Sequence, residues 1–506
     1  MADEPPVGRE RDAEDEAGPL VQFVRWLDSR LGLSYPLLRP VPVYSINPFY
    51  WLGALTAVAF VIQSVTGVIL LFWYVPDPTV AYPTTAYIFS SVDYGRFLET
   101  VHLYGAYSMI LLAFMHMMRN YFVSTHKTPR ELMWVVGMAM GFVTLGFGFT
   151  GYLLPWTVVS VDATNVGIGL LGPLPPALSS LAQSLLGVSG GAASELVRFY
   201  DIHIVVLPAI LLLLLFGKMY MFETHGIGAP AKEVSAAQKR TVPFFPDATL
   251  YLLELAALFS AALFVISAVF PYDLPVQYSA VASQGFVAQP DWYFLWMYQL
   301  LKIASLGDNL PVALTLITLI FVALFVLPFI DRGGERRLAN RPRFALLGVV
   351  FVAELAVLSY WGKVTPGQTI ADEQAALVLG GTALVVALVF VGVYRLMFAR
   401  LRGRLSSAGA RQATMSMKRA QLWTAGLFTL LLVGGSLAIS GSITEAAAMA
   451  TLGASTPRLL EFSGYLAGVG LVVMGTIYLI YRLDLANGSI RTKVPVLEVG
   501  WLSNED

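Results

Sequence analysis

The sequence predicts an all-α, polytopic membrane protein of about ten transmembrane helices, and three observations carry that prediction. The 506-residue chain is 57% hydrophobic and 13% charged. Apolar runs of about 20 residues recur along it, each long enough at about 1.5 Å per residue to cross a hydrocarbon core of about 30 Å. They fall at 49–74, 98–122, 132–154, 199–222, 250–270, 310–330, 344–361, 376–398, 421–440 and 459–481. Of the 32 Lys and Arg, only Arg96, Arg198, Lys302, Lys363 and Arg458 fall on one side of this arrangement, and Lys218 lies inside a span. The remainder share the other side with the N-terminus, the bias of a cytoplasmic face. Both termini are therefore expected on the cytoplasmic (n) side of a bacterial or archaeal cytoplasmic membrane. A net charge of −1 gives no sign of a nucleic-acid partner.

Taken in order, residues 1–20 are charged, rich in Pro and Gly, and read as a disordered tail. Residues 21–48 hold VQFVRWLDSRLGL, with Val21, Val24, Trp26, Leu27 and Leu31 at helical spacing. That pattern fits a helix on the membrane surface or an ordinary amphipathic helix equally. Residues 49–240 are expected to hold four spans, 241–365 three, and 366–506 an extension with three further spans. Two connections on the p side, 155–198 and 271–309, are long enough to be expected to carry function.

Cysteine is absent, and the histidines are His102, His116, His126, His203 and His225. Without a thiol the chain cannot hold a Cys-ligated iron–sulfur cluster or a thioether-bound haem. Redox chemistry must rest on histidine. His102 and His116 lie 14 residues apart in one span, about 21 Å along a helix with a net rotation of about −40°. Both imidazoles then share a face, one near each membrane surface, as two stacked haems would require. Intramembrane ionisable groups are costly, which favours ligands over two satisfied polar residues.

The partner ligands should come from the fourth span. His203 lies near its p-side start and pairs with His102. Fourteen or fifteen residues on stand Gly217 and Lys218, and His225 is about 10 Å too far along. Lys218 is thus the candidate n-side ligand, its neutral amine offering a lone pair. The alternatives are a five-coordinate or missing n-side haem, with Lys218 snorkelling to the interface. Gly53 and Gly67, and Gly137 and Gly151, repeat the 14-residue period, as backbones approaching two porphyrin planes would need. His126 and His225 fall at n-side helix ends, where solvated or quinone-contacting roles are open, and Glu223 with His225 are candidates for n-side proton supply.

Together these residues resemble cytochrome b of cytochrome bc-type complexes. The resemblance rests on INPFYWLG, QSVTGVILLFWY, the His102/His116 span, HKTPRELMWVVG, FTGYLLPW, RFYDIH and QPDWYFLWMYQLLK, in the family's order over roughly residues 21–365. It is closest to the photosynthetic form, in which the four-helix haem part and the three-helix part are separate proteins; here they are fused. The resemblance implies two b haems, the p-side one on His102 and His203 and the n-side one on His116. Arg119 and Arg198 match positions near haem propionates. Pro290, Asp291, Trp292 and Tyr293 match the quinol-site motif, usually Pro-Glu-Trp-Tyr, where the carboxylate accepts a proton from quinol and the tyrosine bonds or gates the site. Three departures stand out: Lys218 replaces the fourth histidine, Glu99 replaces an arginine, and Trp51 aligns with the cysteine that anchors an extra haem, so no covalent haem is expected.

The implied activity is quinol:cytochrome c oxidoreduction. One electron from quinol goes to a Rieske-type iron–sulfur protein and then a c-type cytochrome. The other crosses through the two haems to an n-side quinone. The complex is expected to be a homodimer. A dihaem membrane anchor of a dehydrogenase, working without bifurcation, is the alternative; it explains stacked histidines but not PDWY on a long loop.

Overall fold

The computed structural model describes residues 39–229, 240–287, 289–337 and 340–405, with residues 22, 23, 26 and 30 ahead of them. A short strand β1 (Pro40–Pro42) leads into helix α1 (Leu52–Leu70), then α2 (Ala81–Ser91), α3 (Gly95–Val123) and α4 (Glu131–Leu153). The first long connection carries α5 (Val158–Gly169), α6 (Pro176–Leu185) and α7 (Gly191–Asp201), and α8 (Leu207–His225) follows. Strand β2 (Thr241–Pro243) pairs antiparallel with β1, Val41 opposite Val242. Helices α9 (Thr249–Val269), α10 (Leu295–Leu301), α11 (Leu310–Ile330), α12 (Pro342–Val364) and α13 (Asp372–Leu405) complete the described chain.

Eight helices are long and apolar enough to cross a membrane. They match the first eight predicted spans; those at 421–440 and 459–481, the 1–20 tail and most of the predicted surface helix lie outside the described residues. Their length and mean hydropathy are those of helices surrounded by lipid. On α8, Leu213 and Phe216 are 72% and 74% exposed, a surface no water-facing helix of this composition would keep.

Helices α1, α3, α4 and α8 form the four-helix bundle. The fourth span begins earlier than its apolar run suggests, because α7 continues into α8 through a π turn at Ile202–Val206. Pro208 has no N–H to give the carbonyl four residues before it, and the chain takes the wider register just ahead of that proline. His203 sits within this turn.

The three-helix unit docks on the bundle just past the C-terminal end of α3. Asp331, after α11, receives Arg341, Lys127 Nζ at 2.9 Å and His126 Nε2 at 3.0 Å. All four residues are buried. Arg341 also donates to Ser124 Oγ, and Lys127 Nζ donates to the carbonyls of Gly333 (2.6 Å) and Glu335 (2.7 Å). His126 is therefore not a solvated helix end. It lies between Tyr121 and Trp134, and burial, aided by the neighbouring cations, pushes its pKa down to about 4. Sequence distance hid this: Asp331 stands 205 residues away. Glu223, by contrast, pairs with Arg39 at a half-exposed edge.

Removing one partner of a buried ion pair leaves uncompensated charge and costs about 3–5 kcal/mol, against about 1 kcal/mol or less for an exposed pair. Asp331→Ala is thus expected to lower the thermal midpoint of the detergent-solubilised protein far more than Glu223→Ala. Equal shifts would show that the Asp331 cluster does not hold the junction.

Candidate functional site

The donors predicted from spacing all line the cavity inside the bundle, at two levels, and His102 and His203 face each other across it. On α3, His102 and His116 turn toward α1, and each lies against a glycine there. A Cβ at Gly67 would come within 3.2 Å of His102 Cε1, and one at Gly53 within 3.0 Å of His116 Cε1. The second pair repeats this: a Cβ at Gly151 of α4 would sit 2.7 Å from His203 Cε1, and one at Gly137 2.8 Å from Lys218 Nζ. At Gly137 and Gly151 a Cβ would force the donor to shift, and at Gly53 and Gly67 it would press the imidazole by a few tenths of an ångström. Lys218 does not snorkel outward. Its amine lies against α4, inside the bundle.

In the p-side tier the imidazole centroids of His102 and His203 are 6.5 Å apart and steeply inclined. With metal–imidazole bonds of about 2.0–2.1 Å, two imidazoles on opposite sides of one metal have centroids about 6.4 Å apart. Thr66 Oγ1 lies 2.8 Å from His102 Nδ1 and 2.8 Å from the Ile62 carbonyl. Thr150 Oγ1 lies 2.9 Å from His203 Nδ1 and 2.8 Å from the Gly146 carbonyl. Each hydroxyl has one proton. Donated to the carbonyl, it leaves the oxygen to accept Nδ1–H, which fixes the tautomer with the Nε2 lone pair free.

The n-side tier is built differently. Leu52 and Val136 precede its glycines, where Thr66 and Thr150 precede the others. His116 Nε2 accepts from Asn120 Nδ2 at 3.1 Å, and His116 Nδ1 is buried without a partner. A metal bound at Nε2 would displace the Asn120 amide.

All four donors and all four glycines line one continuous cavity of about 4550 Å³. Among the described residues no group of three or more His, Cys, Asp or Glu could enclose a bare metal ion. Two tiers of paired nitrogen donors with open space between suit a metal that brings its own equatorial ligands. A tetrapyrrole fits.

The same cavity reaches Pro290, Asp291, Trp292 and Tyr293. Gln289 Nε2 pins their loop to the end of α12, donating to the carbonyls of Gly362 (2.9 Å) and Lys363 (2.8 Å). Tyr107 of α3 donates to Asp291 Oδ1 at 2.8 Å, and Tyr293 donates to Oδ2 at 3.2 Å. Tyr293 rests over Gly148, where a Cβ would be 2.8 Å from its hydroxyl, one turn from Gly151. Trp292 packs edge-on against Tyr107 and Tyr293. Burial raises the Asp291 carboxyl above the usual carboxylate range, and the two phenols and Lys363 oppose that rise. Tyr107 was not marked by any motif. Its one signal is position, five residues beyond His102 on the inward face of α3.

Arg119 lines the cavity, its guanidinium 4.1 Å from the Tyr50 ring centroid. Arg198 is exposed on α7, its stem facing Gly187, outside the cavity lining. Glu99 lines the cavity. Trp51 is buried, donating to the Ser45 carbonyl at 2.8 Å, and packs on Phe244 and Tyr251.

Residues 107–277 match the family model described as cytochrome b(N-terminal)/b6/petB, and residues 286–380 that of cytochrome b(C-terminal)/b6/petD. A cytochrome bc complex cytochrome b subunit of Chlorobaculum thiosulfatiphilum is 31% identical over 346 residues, 66% of this chain and 79% of the relative. Cytochrome b of Sulfolobus acidocaldarius is 33% identical over 373 residues, 67% of this chain and 65% of that one. Cytochrome b6 of Heliobacterium modesticaldum is 39% identical over 215 residues, 41% of this chain and all of the relative. Among solved structures, a chain of a hyperthermophilic respiratory Complex III shares the fold. Its TM-score is 0.56 at 24% identity, over 73% of this chain and 97% of that chain.

The notches make a contrast within one helix. A Cβ at Gly141, also on α4, meets nothing within 4 Å. Gly151→Ala is expected to lower the b-type absorption per mole of protein, and Gly141→Ala to leave it unchanged, in reduced-minus-oxidised spectra. Equal spectra for both variants would refute the role of the Gly151 notch.

Proposed function

The chain belongs to the cytochrome b family of bc-type complexes, and from that premise we propose that it is the quinol-oxidising, electron-bifurcating core of a quinol:cytochrome c oxidoreductase. One observation carries the reading: two tiers of facing nitrogen donors and a buried carboxylate held by two phenols share a single cavity. The family binds haem b. In this reading His102 with His203, and His116 with Lys218, hold two b haems, which when bound supply a one-electron relay between the membrane faces.

Quinol binds beside Pro290–Tyr293 on the p side and gives up two electrons and two protons. Asp291 accepts a proton from the quinol hydroxyl at a carboxylate oxygen. A carboxyl raised by burial is a stronger base than an exposed aspartate. Tyr107 and Tyr293 hold both oxygens, which orients the shorter aspartate in place of the family's usual glutamate. One electron leaves to a Rieske-type iron–sulfur protein and a c-type cytochrome, and the other crosses to an n-side quinone. Protons released on the p side and taken up on the n side make the reaction a proton translocation. The sequence has no cysteine, so the cluster and the c-type haem belong to partner subunits. Arg119 compensates n-side propionate charge, whereas Arg198 keeps its propionate role only with a rearrangement of α7. The complex is a homodimer in a bacterial or archaeal cytoplasmic membrane, with both termini of this chain cytoplasmic. A dehydrogenase anchor would have no use for the Asp291 carboxylate between two phenols.

Two measurements test the reading. Tyr107→Phe removes a hydrogen bond that favours the carboxylate, worth about 1–2 kcal/mol or about one pH unit. The acid limb of quinol oxidation is expected to move up by about that much, and Asp291→Asn to abolish the limb along with most of the activity. An unmoved limb in Tyr107→Phe and an active Asp291→Asn would overturn the assignment. Lys218→Ala is expected to change the spectrum and potential of one haem, and Lys218→His to retain both haems. Two wild-type haem spectra in Lys218→Ala would end the lysine-ligand reading.

A further inference from the structure

In the proposed reaction Asp291 must lose each proton it takes from quinol before the next turnover. The end of the cavity beside it is bounded by two segments clasped together. Gln289 Nε2 donates to the carbonyls of Gly362 and Lys363, and Val287 lies over Gly367, where a Cβ would be 2.7 Å from Val287 Cγ1. The turn after α12 is fixed from elsewhere as well. Lys302 Nζ donates to the Thr365 carbonyl, and the Gly367 N–H donates to the Tyr298 hydroxyl at 2.9 Å. Val287, Lys363, Val364 and Pro366 line the cavity and are exposed, so the cavity reaches the protein surface between these two segments.

Lys363 is the charge at this opening. The other basic residues that line the cavity, Arg119, Arg130 and Lys218, belong to its His116 end. Arg96 pairs with Asp273, and Lys302 is also held by Gln299 Oε1 at 3.0 Å. Among the described residues no carboxylate pairs with Lys363. A lysine in the last turn of a helix is favoured by the helix dipole alone, but this one also acts on Asp291, against the rise caused by burial. The groups that face Asp291 are Tyr107 from α3, Tyr293 from its own loop, Tyr152 from α4 and Lys363 from α12. Three of them are phenols, neutral at physiological pH. Lys363 is the one formal charge in the set, and the Gln289 bond to its own carbonyl ties it to the loop two residues before Asp291.

We propose that the opening at the end of α12 is the proton exit of the quinol site, and that Lys363 is a positioning residue there, acting through Asp291 to favour proton release to p-side water and to oppose its return. This rests on the quinol-site reading of the preceding section. A cation beside a carboxyl group favours the ionised form. Protonated Asp291 therefore gives its proton to water at the opening more readily, and a returning proton meets a positive field. The quinol hydroxyl loses the proton, Asp291 carries it and water receives it, so the carboxylate is restored for the next quinol. Lys363 itself handles no electron and keeps its charge throughout.

In the purified complex at low salt, Lys363→Gln is expected to move the acid limb of quinol oxidation up by about half a pH unit, as loss of one solvent-screened charge would. Lys363→Arg restores the charge and should keep the wild-type limb. Salt separates charge from structure: at about 1 M, where the screening length is about 3 Å, the limbs of wild type and Lys363→Gln should coincide. If Lys363→Gln does not assemble, the wild-type limb is read alone and is expected to rise as salt is added. A limb that stays at the wild-type pH in Lys363→Gln, an equal shift in Lys363→Arg, or a difference that survives high salt would each overturn the inference, as would a salt-independent wild-type limb. Asp291→Asn separates the two layers. If that variant keeps the wild-type activity and limb, the quinol-site reading fails, whereas a limb lost in Asp291→Asn but indifferent to Lys363 removes only the exit.

Discussion

Four glycines hold the bundle at the separation its nitrogen donors require. His102, His116, His203 and Lys218 each lie against the backbone of a neighbouring helix, so close that a methyl group at the facing glycine would press on the donor or displace it. The helices can therefore close on one side of each donor and stay apart on the other. The cavity between the tiers is the remainder of that arrangement. It also sets the position of the loop carrying Asp291, since Tyr293 leans on Gly148 one turn from the Gly151 notch. Packing, donor direction and the carboxylate site thus follow from one steric constraint repeated at the 14-residue period.

The two tiers are unequal in their surroundings. On the p side, threonine hydroxyls anchored on their own helices orient both imidazoles. On the n side, one imidazole nitrogen has no partner, the opposing donor is a flexible amine, and Arg119 and Arg130 line the cavity. Fixed dipoles rigidify the first tier and formal charge surrounds the second. The difference has an electrostatic consequence: charged neighbours discriminate between the oxidation states of a bound metal more strongly than hydroxyl dipoles do.

Much of this was legible in the sequence because it is periodic. The spacing of His102 and His116, the matching glycines and the misplaced Lys218 all lie along single helices, where position converts directly to height and face. What was not legible depends on how distant segments meet. Tyr107 matters only because the loop after α9 returns to α3. Thr66 and Thr150 sit beside marked glycines, yet their hydroxyls acquire meaning only from an imidazole on the next helix. His126 reads as a helix end until Asp331 closes over it. Arg198 was carried by resemblance alone, and the structure places it on the exposed side of α7. The two spans predicted after α13 lie outside the described residues.

The β1–β2 ladder pairs Pro40–Pro42, just before the bundle, with Thr241–Pro243, just after it. The entry and exit of the four-helix unit are therefore side by side and bonded to each other. A unit with adjoining ends is a cassette. It is topologically free to be encoded by itself, as the b6 relatives matched along their whole length are, or to be spliced to a neighbour without disturbing its interior. Fusion then joins the two units through the chain itself. It raises the effective concentration of the three-helix unit, and it makes the two halves stoichiometric from the moment of synthesis.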